Sequence, residues 1–146
     1  MTTDLQALAD RLAIHELLAR YARGVDDEDW ELYRSVFTED AHIDYSSAGA
    51  IAGGRDEVVA WMAEVFVTIP WTQHLITNIE VDLDGDEATV RALFHNPMQL
   101  PGMDGPSFCG GRYRHDVVRT ADGWRSRRLV EENMWFVGAP DGAPEP

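Results

Sequence analysis

Two stretches hold side chains whose types and placement suit chemistry: YARGVDDEDW at residues 21–30 and TQHLITN at residues 72–78. If the chain is helical from Leu5 onward, Asp26 returns to the same angular stripe as Leu8, Leu12 and Ala22. A carboxylate at the inner edge of an apolar stripe, near a helix C-terminus, is disfavoured as an anion by burial and by the helix dipole. It seeks a proton donor, and His74 is the candidate. A carboxylate on one ring nitrogen leaves the other free to act as a general base. A plainer alternative stands beside this one. Asp26 or Asp27 can cap a second helix, with Asp29 completing a capping box, and His74 is then an ordinary strand residue.

The elements that must position these groups follow from periodicity. Leu5, Leu8, Leu12, Leu17, Leu18, Tyr21 and Val25 predict a first helix, capped by Thr3 or Asp4. DDEDWELYRSVF predicts a second, with Trp30, Tyr33 and Phe37 on one side, and RDEVVAWMAEVF a third that ends before Pro70. AHIDY reads as a short strand that turns His42 and Asp44 away from Ile43 and Tyr45. From residue 72 the period changes to two, and turns at DGD and ADG make two long hairpins with a loop at residues 101–106. Helices first and a strand meander afterwards predict an α+β domain, the helices covering one face of a curved antiparallel sheet. One domain is expected over residues 1–138, with a flexible tail at residues 139–146. Strict alternation from residue 72 puts Leu75, Ile79, Val81 and Leu83 on one side and His74, Ile76 and Asn78 on the other. If the helices cover the His74 side, the more apolar side needs a cover, which a second subunit can supply.

Composition narrows the function classes. The 146 residues carry 26 acidic side chains against 12 basic ones, and every basic one is arginine. A net charge of −14 gives no electrostatic reason to bind nucleic acid or an anionic membrane. Without lysine there is neither a Schiff base on a side chain nor a lysine base. Cys109 stands alone, which excludes an intrachain disulfide and favours a reducing compartment; it is read as packing. The start MTTDLQALADRLA lacks the charged and apolar regions of a signal peptide, and a cytoplasmic location is expected. No histidine pair has metal-ligand spacing, and AGGRDE is no P-loop, so neither metal nor cofactor is expected. His15 is expected to be packed or exposed, and His115 and Asp116 to serve cross-strand or subunit contacts. The aromatic set Trp30, Tyr33, Trp61, Phe66 and Trp71 is read mainly as core, with Trp30 taken to reach a pocket wall.

The run RYARGVDDEDWELYRSVFTEDAHIDY, the Gly-Gly break with its helix, and TQHLITN together resemble the SnoaL-like branch of the NTF2-like superfamily. The nearest likeness is to scytalone dehydratase, bile-acid dehydratase and hexachlorocyclohexane dehydrochlorinase. The resemblance implies a cone-like α+β barrel with an apolar pocket, often trimeric through the outer sheet face, though a dimer is also compatible. It puts Asp26 and His74 at the family's Asp-His dyad, and Tyr21 and Tyr45 at tyrosines that orient substrate or leaving water. Arg127 or Arg128 falls near an arginine that some members use. Met98 stands where scytalone dehydratase has a second catalytic histidine, and His95 is out of register with it. Arg112 and Arg114 replace a later polar pair. The implied activity is a cofactor-independent lyase of the dehydratase type acting on a small apolar cyclic substrate, such as a steroid, terpenoid or polyketide. An isomerase, polyketide cyclase or epoxide hydrolase, or a non-catalytic ligand-binding module, would use the same fold.

Overall fold

The computed structural model describes residues 4–140, so the residues 141–146 of the expected tail and Thr3 as a cap lie outside the described residues. Helix α1 (Leu5–Asp26) starts on Asp4, whose carboxylate accepts from the backbone N–H groups of Gln6 and Ala7. Its buried stripe is Asp10, Ile14, Leu17, Leu18, Tyr21, Gly24 and Val25. The leucines expected to lead that stripe are outside it: Leu5 is 77%, Leu8 51% and Leu12 63% exposed. The helix is turned so that Asp10 meets the sheet. That carboxylate accepts from both terminal nitrogens of Arg119 at 2.8 Å and from the indole N–H of Trp124 at 3.0 Å. An ion pair with two fixed donors thus chose between two possible apolar faces.

Helix α2 (Trp30–Ser35) is shorter than predicted and is capped by Asp29, not by Asp26 or Asp27. Glu28, in a left-handed conformation at φ 52°, makes the sharp corner between the helices. Gly24 lets them approach: a Cβ there would stand 2.9 Å from the backbone N and Cα of Tyr33. Gly24→Ala is expected to cost about 1–3 kcal/mol by overpacking. Urea unfolding measures this, and an unchanged midpoint would mean that the close approach is not needed.

Strand β1 (Phe37–Asp44), β2 (Ala52–Gly54) and helix α3 (Arg55–Phe66) follow, then β3 (Trp71–Thr72), β4 (Leu75–Asp84), β5 (Glu87–Gln99), β6 (Ser107–Thr120) and β7 (Gly123–Val137). The strands form one sheet in the order β2-β1-β7-β6-β5-β3, with β4 also on β5. Only the β1–β7 pairing is parallel; the others are antiparallel. The helices pack on the inner face of this curled sheet, with Ile14, Leu17, Leu18, Ile43, Val90 and Leu129 wholly buried between them.

Two of the sheet's bulges decide where the expected site residues of β4 and β7 point. Between the pairs Thr77↔Leu93 and Glu80↔Arg91 the register shifts by one, with Asn78 at φ 52°. The shift undoes the expected alternation. Leu75 is 43% exposed, while Ile76, Ile79 and Leu83 pack against the core and Val81 is buried in it. The opposite face is charged, with Glu80, Arg91, Arg112, Arg114, Asp116, Arg128 and Glu132 around a broad hollow. Of the apolar set read as needing a covering subunit, only Leu75 stays exposed, on a sheet that also exposes Leu93. The second bulge lies between the pairs Asp116↔Arg128 and Val117↔Ser126 and leaves Arg127 as the extra residue.

Candidate functional site

His74 lies in the kink between β3 and β4. The pairs Thr72↔Met98 and Leu75↔His95 share one register, so His74 stands opposite Asn96. Gln73 donates its N–H to the carbonyl of Pro97 at 3.0 Å, which turns the next N–H, that of His74, away from β5. This free N–H of an edge segment needs an acceptor. The last residue of α1 supplies it: Asp26 Oδ2 accepts from His74 N at 2.8 Å, and Asp26 Oδ1 lies 2.6 Å from Nδ1 of the same ring. One carboxylate thus holds both backbone and side chain of His74. The imidazole is 7% and the carboxylate 20% exposed, so the pair is largely shielded.

The second ring nitrogen, Nε2, is 3.1 Å from the side-chain amide of Asn96. With Nδ1–H donating to Asp26, neutral His74 has a lone pair on Nε2, which the Asn96 amino group meets while Thr72 Oγ1 donates to the amide oxygen at 2.7 Å. The reverse orientation is satisfied as well. The oxygen then accepts from a protonated Nε2, and the amino group reaches Thr72 Oγ1 at 2.7 Å, Pro97 O at 3.1 Å and Gln73 O at 3.2 Å.

His74 and Asn96 form part of the wall of an interior cavity of about 230 Å³, together with Tyr21, Tyr45, Met98, Tyr113 and Glu131. Tyr45 sits just after β1, and its hydroxyl joins those of Tyr21 at 2.7 Å and Tyr33 at 2.8 Å. Burial raises all three phenols, so they stay neutral. Tyr113, on β6, stands across the β6–β7 pairing from Glu131 and packs edge-on against Tyr21 with ring centroids 5.4 Å apart, and burial raises its hydroxyl in the same way. Burial pushes the Glu131 carboxyl up to about 7 and the Cys109 thiol up to about 12. Asp26 itself lies behind His74, opening onto a groove between α1 and β4 that also borders His15.

The other sequence candidates lie elsewhere. Neither arginine enters the cavity: Arg127 pairs with Glu87 at 2.8 Å on the surface, and Arg128 borders the charged outer hollow. Alternation would turn one of two adjacent arginines inward, but the bulge at Arg127 sends both out. Arg112 and Arg114 are exposed on that outer face as well. Trp30 stacks edge-on against Tyr33 and Phe66, with ring centroids 6.0 and 5.6 Å away, one layer behind the cavity wall. His115, expected at a cross-strand or subunit contact, makes a cross-strand one: wholly buried on β6, it bonds Ser126 Oγ of β7 at 3.0 Å, and burial lowers it to about 3. Asn96, Tyr113 and Glu131 were not singled out from the sequence. Their signal was present in part, since Asn96 alternates with Phe94 and Met98, and Glu131 with Leu129.

The profile of the SnoaL-like domain family matches residues 6–130 of the chain. The chain is a SnoaL-like protein. An uncharacterized protein of Mycobacterium tuberculosis is 39% identical to this SnoaL-like chain over 125 residues, 85% of each. A crystal structure from Novosphingobium aromaticivorans, proposed to be an aromatic ring hydroxylase, is 33% identical with a TM-score of 0.83, covering 94% of this chain and 98% of that one. A type 2 hexachlorocyclohexane dehydrochlorinase, LinA, has a TM-score of 0.84 over 99% of this chain and 98% of its own at 20% identity. At that identity the likeness is one of fold. Among the described residues, no helix is long and apolar enough to cross a membrane, and no cluster of three His, Cys, Asp or Glu is arranged to hold a metal ion.

Proposed function

We propose that this SnoaL-like protein is a cofactor-independent lyase of the dehydratase type, in which His74 removes a proton from carbon and a β substituent departs. The supporting observation is the 2.6 Å contact of Asp26 with Nδ1 of a histidine that lines the cavity and whose Nε2 meets Asn96, another residue of its wall. Asp26 fixes the tautomer and faces the positive charge that forms on the ring. The amide of Asn96 gives up Nε2 to the substrate and, turned over, accepts from the imidazolium. The hydroxyls of Tyr21 and Tyr45 are neutral donors for the departing oxygen or a carbonyl. The cavity is smaller than the ~300–1,000 Å³ of common ligand sites. Within the steroid, terpenoid and polyketide range, this favours a substrate of few rings.

The test is a panel of small cyclic β-hydroxy ketones, followed by loss of water and by uptake of deuterium from solvent. Turnover that disappears in His74→Ala supports the lyase. Deuterium uptake without water release would move the assignment to an isomerase in the same cavity, and binding without either would leave a ligand-binding module. A homo-oligomer, trimer or dimer, belongs to the same proposal, joined through the outer face by its interleaved arginines and carboxylates. Sedimentation at rising salt checks it, since such an interface weakens as charge is screened; a monomer at low salt would end it.

A further inference from the structure

Glu131 faces inward from β7 directly across from Tyr113 on β6, and both belong to the cavity wall. No arginine lines that cavity, and Glu131 is the one carboxylate among its described lining residues. Apart from the Tyr113 hydroxyl, which favours the ionised form, the groups around it do nothing for an anion. Tyr21 of α1, Tyr45 after β1 and Tyr113 and Cys109 of β6 are neutral, Asp44 of β1 adds a like charge, and the arginines of β7 point out. Beside it the hydroxyls of Tyr21, Tyr45 and Tyr33 form a bonded chain of neutral groups. The carboxyl's own proton is left for whatever fills the cavity.

We infer that Glu131 forms the polar end of the cavity and presents a proton to an uncharged oxygen of the ligand, so that the site takes flat ketones, alcohols or phenols and rejects carboxylates. This rests on the cavity being the ligand site and not on proton abstraction by His74. An incoming carboxylate meets no arginine, finds His74 already held by Asp26, and would have to share the wall with Glu131, whereas a neutral oxygen receives a hydrogen bond from an acid stronger than a phenol. Ionisation of Glu131 reverses this. The acid then offers no proton, and its charge holds the Tyr113 hydroxyl for itself.

The test uses the intact protein with 2-naphthol and 2-naphthoate as probes, by fluorescence titration from about pH 6 to about pH 8. Wild type is expected to bind naphthol and to lose ~10-fold in affinity across that range as Glu131 ionises. Glu131→Gln, which donates but cannot ionise, should bind naphthol equally at both ends. His74→Ala should keep the wild-type pH dependence, which separates this inference from the lyase assignment. Absent naphthol binding, pH-independent binding by wild type, or naphthoate binding as tight as naphthol would each overturn it. Infrared difference spectra of wild type give a check that needs no variant. A protonated-carboxyl band that disappears between about pH 6 and pH 8 is expected, and its absence at pH 6 would also overturn the inference.

Discussion

Asp26→Asn is expected to lower turnover about 10²–10⁴-fold, the range that a well-placed general base contributes, while the protein still folds. The reason lies in the count of acceptors. The Asp26 carboxylate accepts from the His74 backbone N–H with one oxygen and sits against Nδ1 with the other. An asparagine has a single acceptor oxygen, so either the backbone N–H or the ring loses its partner, and the amide nitrogen then faces a donor. If the ring loses, its tautomer is no longer fixed and its cation no longer faces a negative charge. His74→Ala should reach the same floor, because the two side chains act as one unit and their losses do not add. Steady-state rates on a substrate from the ketone panel, with circular dichroism melts as a folding control, measure this. An Asp26→Asn enzyme as fast as wild type would sink the dyad.

Asp10→Ala should cost the protein about 3–5 kcal/mol, the loss typical when one member of a buried ion pair is removed. The Asp10 side chain is 9% exposed and accepts from Arg119, Trp124 and Gln6, so its removal strands an indole N–H and a guanidinium at the foot of the sheet. Arg119 keeps Asp86 at 2.8 Å and lies 4.7 Å over the Trp124 ring, which limits the damage to the lower part of that range. The sign with pH is set by the direction of the shift. Arg119 holds the Asp10 carboxyl well below its ordinary 3.8, so its contribution is present in full above that value and is lost as pH falls below it. The gap between wild type and variant, read from urea unfolding, should therefore be wide at neutral pH and narrow in strong acid. A gap under about 1 kcal/mol at neutral pH would show that Asp10 is not what seats the helix.

The elements are legible in the amino-acid sequence, and their rotation is not. The third helix, both hairpin turns and the cap on Asp4 are local matters, decided by side chains within a few residues, and the structure has them where periodicity and turn chemistry predicted. The face that α1 buries differs from the expected one because its leucines and its Asp10-to-Val25 stripe are both plausible helical faces. The deciding partners, Arg119 and Trp124, are more than a hundred residues away. The sides of β4 and β7 differ from strict alternation for a related reason. A bulge adds one residue and exchanges inward for outward positions, and nothing at Asn78 or Arg127 announces it in the sequence.

The site divides in the same way. Asp26 and His74 stood out because a carboxylate on an apolar stripe is costly alone and an imidazole is its natural partner. The rest of the cavity wall depends on which residues the curled sheet turns inward. Asn96 meets His74 only through the pairing of β5 with the segment around β3. Glu131 and the tyrosines converge from α1, β1, β6 and β7, so their shared burial, and the raised acidity range that it produces, exists only once the sheet has closed over them. The sequence by itself determined the family of folds, the order of elements and the two residues that could form a dyad, since these rest on local periodicity and residue chemistry. Tertiary structure decided which polar groups share the cavity with that dyad, because burial and hydrogen bonding between distant strands are properties of the closed sheet and not of any one segment.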